Sequence, residues 1–193
     1  MSNASKPYQG QLIRAHGFAV PETLITNDPE QALDFRARCG RVVYKSMSGV
    51  RSIVQTLDDG DLDRIGRIRW CPTQFQQFVA GTNVRVHTVG ETVLATAVAT
   101  GATDYRYARR QVGEPAELTA IDLAEDLAER CVGLAGAFGL AFAGIDLKIT
   151  PEDEVYCFEV NPTPAFSYYE GQTGQPIART LACFLAGGRG WNG

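Results

Sequence analysis

Two carboxylates and an amide in the C-terminal quarter of the chain have the spacing of a cation-binding hairpin. In Gly144–Pro162, GIDLKITPEDEVYCFEVNP, two apolar-rich runs flank Pro151–Glu154, a proline-and-acid cluster that suits a turn between antiparallel strands. A hairpin symmetric about that turn pairs Ile145 with Val160, Leu147 with Phe158 and Ile149 with Tyr156, making one face apolar. The other face then carries Asp146 opposite Glu159, with Asn161 two residues on and on the same side. Like charges directly opposed across a ladder repel. Protonating one of them relieves this, and so does a cation between them; a solvated polar face on an ordinary hairpin would carry the same residues. Oxygen-only ligands with few protein groups suit Mg²⁺, which keeps waters and shares a nucleotide's phosphates.

Other residues invite chemistry upstream. Lys45 ends the β-rich run RVVYK (Arg41–Lys45) and opens a small polar loop, Ser46–Ser52, that includes Ser48 and Gly49. Such a loop lets backbone N–H groups approach an anion while the lysine adds a point charge. It is not a Walker A loop, and a lysine at a strand end is also a common surface residue. Gln77-Phe78-Val79 precedes Gly81, and an extended segment there offers main-chain groups to a purine edge between apolar walls, or is a plain core strand. Arg85 shares a strand face with His87, opposite Val84 and Val86, and could reach a phosphate or acyl-phosphate oxygen or snorkel at the surface; His87 reads as structural. Arg106, Arg109 and Arg110 accompany Asp104, Tyr105 and Tyr107 in Asp104–Glu114, read as an exposed loop that is simply solvated, gathers an acidic substrate or closes over phosphates. Tyr168, Tyr169 and Glu170 either line an acceptor site or pack as aromatic core.

The elements that must hold these groups are legible in outline. Helices are expected over Tyr8–Ala15, from a cap at Asn27 or Asp28 to Cys39, over Asp58–Ile65, Asp122–Phe138 and Pro176–Leu185. Strands are expected at Glu22–Thr26, Arg41–Lys45, Ile53–Leu57, Gln74–Val79, Asn83–Val89 and Thr92–Thr100, besides the hairpin. The fold class is α+β, with a small α/β lobe over residues 1–70 and a larger, mainly antiparallel lobe over 71–193. At 193 residues and 45% hydrophobic, the chain can bury a real core. Its net charge of −4 disfavours a broad nucleic-acid surface. No apolar run approaches the ~20 residues of a membrane span, and no secretory signal opens the chain. Five scattered cysteines and two distant histidines argue against zinc and a disulfide framework, and for a reducing cytoplasm. The glycine-rich tail from Gly187 is expected to fray.

The order VVYK with a Ser/Gly loop, then Q-F-V, then G-x-N-V-R, then G-I-D…F-E-V-N-P resembles the ATP-grasp ligases. It is most similar to the branch of ribosomal-protein glutamate ligases (RimK-like) and the microviridin-type peptide ligases, from about Lys6 to Leu185. The resemblance implies two lobes with ATP between them. It implies Asp146, Glu159 and Asn161 as ligands of one or two Mg²⁺, with Mn²⁺ as a substitute. Lys45 would contact the phosphates, with Ser48 and Gly49 in the loop that closes on them. Gln77, Phe78 and Val79 would border the adenine, Arg85 would steady the transferred phosphoryl group, and Lys6 would be a second nucleotide contact. The implied reaction joins a carboxylate to an amine or a hydroxyl through an acyl phosphate, on a peptide or amino acid, with no protein nucleophile.

Two departures stand out. An acidic position of the family pattern G-x-D-x-R is Asn83 here. The family's further N-terminal α/β domain has no counterpart in this sequence, which points to a fragment or to reliance on a partner or a homodimer. The competing expectations are an ATP-binding module without independent ligase activity, and a scaffold that binds a protein through the Asp104–Arg110 segment.

Overall fold

The computed structural model describes residues 6–46 and 53–187, without the side chains of Lys6, Pro7, Tyr8 and Arg106. In chain order the elements are α1 (Lys6–Ala15), β1 (Thr23–Thr26), α2 (Pro29–Cys39), β2 (Val42–Ser46), β3 (Gln55–Thr56), α3 (Asp59–Leu62), β4 (Thr73–Gln77), β5 (Thr82–Val89), β6 (Thr92–Ala99), α4 (Ala108–Val112), β7 (Glu117–Ile121), α5 (Glu125–Ala137), β8 (Phe142–Ile149), β9 (Val155–Asn161), α6 (Ser167–Thr173) and α7 (Ile177–Leu185). Short 3₁₀ turns add Ile65–Trp70 and Tyr105–Tyr107. Two compact units result, and they do not divide the chain at one point near residue 70. One takes the chain up to Val20, Ala80–Ala99 and everything from Glu117; the other takes Pro21–Val79 and Thr100–Ala116. The physical reasons are local. Ile13 of α1 is buried in the core of the first unit, and Asp104 and Gln111 both hydrogen-bond to Val54 in the second.

The smaller unit is a four-stranded antiparallel sheet, β1-β4-β2-β3, covered by α2. Asp28 caps α2 by accepting from the Glu30 N–H at 2.9 Å, Pro29 occupies the first turn, and Gly40 ends the helix at φ 72°. Ala32 and Phe35, three apart on one helix face, pack with Val42, Leu57 and Phe75. The segment read as an exposed loop, Asp104–Glu114, is instead a 3₁₀ turn followed by α4. Asp104 is only 4% exposed and accepts the Val54 N–H, and Gln111 accepts from the Asp104 N–H and donates to the Val54 carbonyl. Those hydrogen bonds satisfy a buried carboxylate and order the segment, which composition alone does not reveal. The helix expected over Asp58–Ile65 is shorter, with a capping box between Asp58 and Asp61 and a 3₁₀ turn from Ile65.

The larger unit is a five-stranded antiparallel sheet in the order β7-β6-β5-β8-β9. One face is packed by α5, whose Leu127, Cys131, Leu134 and Ala135 follow helical spacing onto Val84, Val86, Ile145, Leu147 and Val160. The β8–β9 hairpin keeps the expected pairs Ile145–Val160 and Asp146–Glu159. Beyond them the register slips by one: Leu147 faces Cys157, not Phe158, and Ile149 faces Val155, not Tyr156. Phe158 is the extra residue of a β-bulge, which puts the small, fully buried Cys157 into the core in its place. Asp153, at φ 61°, supplies the left-handed corner of the turn. Strand β7 and helix α6 have no counterpart in the sequence reading.

Candidate functional site

The central strand β5 and its neighbours β8 and β9 set three side chains in one row. Arg85 is registered opposite Asp146, and Asp146 opposite Glu159. The next row on the same face is His87, Gly144 and Asn161. Because strand residues alternate faces, Val84, Val86, Ile145 and Val160 serve the core while every one of these groups lies on the other side.

The Arg85 guanidinium donates from Nη1 to Asp146 Oδ1 at 2.8 Å, with the two side chains 6% and 35% exposed. It also lies 5.6 Å from the centre of the Tyr169 ring. The repulsion expected between Asp146 and Glu159 is therefore eased from the other side of β8 by an arginine, so the ladder itself does not demand a metal. The donor set is what fits one. Two carboxylates and the Asn161 carboxamide offer oxygen donors, all three half-buried on one face, and Asn161 Oδ1 is oriented by the Thr163 N–H at 2.9 Å. A small hard cation that retains waters and phosphate oxygens suits such a partly exposed set.

Gly144 makes the arginine's position possible. A Cβ at this position would run into the Arg85 guanidinium and the Pro164 ring. The sequence signal was a glycine inside a strand, which marks a close approach. His87 is fully buried, stacked on Phe142 and edge-on to Tyr169 at a centroid distance of 5.0 Å. Burial above all, and then the Arg85 charge, lower its pKa to about 4, with Nε2 3.4 Å from the Ala165 carbonyl working in the opposite sense. Tyr168 is half exposed while Tyr169 is buried, and the Glu170 carboxylate accepts the Ala178 N–H. Cys157, two residues from Glu159, is no nucleophile: burial pushes its thiol well up, as it pushes Cys131 to about 12. Lys148 is a cation the sequence reading passed over; it shares the face of Asp146 and lies 5.9 Å above the Phe158 ring.

In the smaller unit, Lys45 is half-buried on β2 opposite Gln74, one residue before the end of the strand. Ser48 and Gly49 lie outside the described residues, as does the side chain of Lys6 at the start of α1. Gln77 ends β4 opposite Val42, and its carboxamide oxygen accepts the Glu22 N–H while its own N–H donates to the Glu22 carbonyl. The Phe78 N–H donates to the Arg41 carbonyl, and the Arg41 guanidinium covers its ring at 3.7 Å. Val79 is buried. Among the described residues no helix is long and apolar enough to cross a membrane.

This chain belongs to the RimK-like ATP-grasp domain family, whose model matches residues 4–185. Solved structures agree with that assignment. The ATP-grasp ligase PsnB, complexed with a phosphomimetic variant of its minimal precursor, Mg and ADP, is 31% identical, with a TM-score of 0.79 over 95% of this chain and 58% of its own. Macrocyclase MdnC, bound with precursor peptide MdnA from Microcystis aeruginosa MRC, is 24% identical (TM-score 0.81, 96% and 61% covered) and supports the fold alone. The same holds for a RiPP-associated ATP-grasp ligase of Chryseobacterium gregarium, in complex with ADP and a leader and core peptide (24%, TM-score 0.82, 95% and 59%). A comparison with curated proteins gives no match. The chain spans about three fifths of the length of the solved proteins it resembles.

Proposed function

We propose that this protein is an ATP- and Mg²⁺-dependent ligase that joins a carboxylate to an amine or hydroxyl on a peptide substrate. The observation that carries this is the Arg85–Asp146–Glu159 row with Asn161 one step along, in a chain of the RimK-like ATP-grasp family. The peptide class is supported by PsnB, whose structures hold a minimal precursor with Mg and ADP.

In this reading Glu159, Asn161 and Asp146 hold the metal, which when bound neutralises charge on the β- and γ-phosphates of ATP. Arg85 is anchored by one Asp146 oxygen and held rigidly in the sheet, so it presents a fixed cation to the phosphoryl group in flight. A substrate carboxylate oxygen attacks the γ-phosphorus and ADP leaves. The acceptor nitrogen or oxygen then attacks the acyl carbon, phosphate leaves, and the acceptor's proton passes to solvent. Lys45, Ser48, Gly49 and Lys6 are assigned to the phosphates and nucleotide, and Gln77, Phe78 and Val79 to the adenine border. With the Gln77 side chain engaged by Glu22, its part is to shape the edge of that border. Five free thiols fit a reducing cytoplasm.

The test is incubation with Mg-ATP and a panel of amino acids and short peptides, following ADP and product masses. Acceptor-dependent ADP release, with a product lighter by one water per bond formed, is the expected result. Nucleotide binding without ADP release for any acceptor would favour a nucleotide-binding module instead.

A further inference from the structure

We propose that Gln9 is a positioning residue for the metal-binding end of β9, an assignment that rests on the Mg²⁺ reading of Glu159 and Asn161. Strand β9 is the edge of its sheet, so its outer N–H and C=O groups need partners other than β8. Near its start they are met by backbone: the Ala19 N–H donates to the Val155 carbonyl at 3.0 Å, and the Cys157 N–H donates to the Ala19 carbonyl at 2.9 Å. Past the Phe158 bulge, among the described residues, a side chain takes up the task at Val160. Gln9 Nε2 donates to the Val160 carbonyl at 3.0 Å, and Gln9 Oε1 accepts the Val160 N–H at 3.2 Å.

A primary amide carries a donor and an acceptor side by side, so Gln9 acts here as one residue of a missing strand. Both groups it serves belong to Val160, which is 1% exposed, and Gln9 is 7% exposed, so water does not replace it. Val160 is the residue between Glu159 and Asn161. The bulge releases these three residues from the register of the first half of β9; the β8 ladder holds them on one edge and Gln9 holds Val160 on the other, while the Thr163 N–H orients the Asn161 side chain. Gln9 is itself held by α1, where Ile13, four residues on and on the same helix face, is buried in the core.

The experiment is ADP binding to the full-length protein over a Mg²⁺ series and in EDTA. The variants are Gln9→Met, which keeps length and loses both hydrogen bonds; Gln9→Glu, which keeps only the acceptor; Glu159→Gln; and Thr180→Val. The last removes a buried hydrogen bond at the start of α7, from Thr180 to the carbonyl of the capping Pro176. Groups that orient metal ligands are worth about 10- to 100-fold in metal affinity, so both Gln9 variants should raise the half-saturating Mg²⁺ by that factor. Their ADP affinity in EDTA should match wild type, and Thr180→Val should leave the Mg²⁺ series unchanged. An unshifted Mg²⁺ dependence in either folded Gln9 variant, with Glu159→Gln collapsed, overturns the assignment and leaves the metal site standing. An equal shift in Thr180→Val overturns it by reducing Gln9 to general stability. An unchanged Glu159→Gln overturns the metal reading and this proposal with it.

Discussion

Arg85 and Asp146 face each other from adjacent strands, with Nη1 2.8 Å from Oδ1, and the arginine is the more deeply buried of the two. One carboxylate oxygen is thereby spent on fixing a cation, and the arginine becomes part of the sheet rather than a mobile surface group. In the proposed role, a lysine would have no planar fork to repeat this ion pair while reaching a phosphoryl oxygen. Arg85→Lys should lower turnover by about 10²-fold or more, the scale for losing one transition-state donor, with nucleotide binding largely kept. Steady-state kinetics beside ADP titration checks the split.

Gly144→Ala should act on the same pair from beneath. The added methyl collides with the guanidinium and with Pro164, so one of them must move. Overpacking of this kind costs about 1–3 kcal/mol, and here it should also depress turnover. Urea unfolding and an activity assay on one preparation would show both losses together.

The buried His87 predicts an acid-sensitive fold. Its folded pKa, about 4, lies below the ordinary 6.5, so between those values the unfolded chain binds a proton that the folded chain does not. The contribution of His87 is thus complete above about pH 6.5 and is lost as pH falls towards 4, on the order of 3 kcal/mol in all. The facing groups are the Arg85 guanidinium, the Ala165 carbonyl, and the rings of Phe142 and Tyr169. His87→Gln should flatten the pH 4–6.5 part of a denaturation series; an unchanged slope would assign that sensitivity elsewhere.

Asp28→Ala should remove about 1 kcal/mol by uncapping α2. Asp28 bonds to Thr26, Glu30 and Gln31, none of which is assigned to the nucleotide, so Mg²⁺-dependent nucleotide affinity should be unaffected once the protein is folded. Thermal unfolding with and without Mg-ATP separates the effects.

What could be read from the sequence was whatever depends on spacing alone. Alternation about an assumed four-residue turn opposes Asp146 and Glu159, and the pair survives because the Phe158 bulge offsets a turn one residue longer, Thr150–Glu154; Asp28, Pro29 and Gly40 mark α2 at both ends. The bulge at Phe158 was not legible, because it reflects a contest between Phe158 and Cys157 for a core position shaped by α5. Helix α6, SYYEGQT, contains a glycine and no run of strong helix formers; its Tyr169 is held against His87 of a distant strand. The arginine-rich segment looked solvated because its ordering contacts run to Val54, some fifty residues earlier. The ion pair of Arg85 was missed for a related reason: strand order, not sequence spacing, makes β5 the neighbour of β8.

The central claim is that the end of the β8–β9 ladder is a Mg²⁺ site for ATP. Calorimetric titration of ATP into wild type, Glu159→Gln and Asn161→Ala, each with Mg²⁺ and with EDTA, tests it most directly. Tight binding that needs Mg²⁺ in wild type and collapses in both variants is the predicted result, with saturation at 100 times the dissociation constant stabilising wild type by about 2.7 kcal/mol. Mg²⁺-dependent binding that survives unchanged in both variants would contradict it.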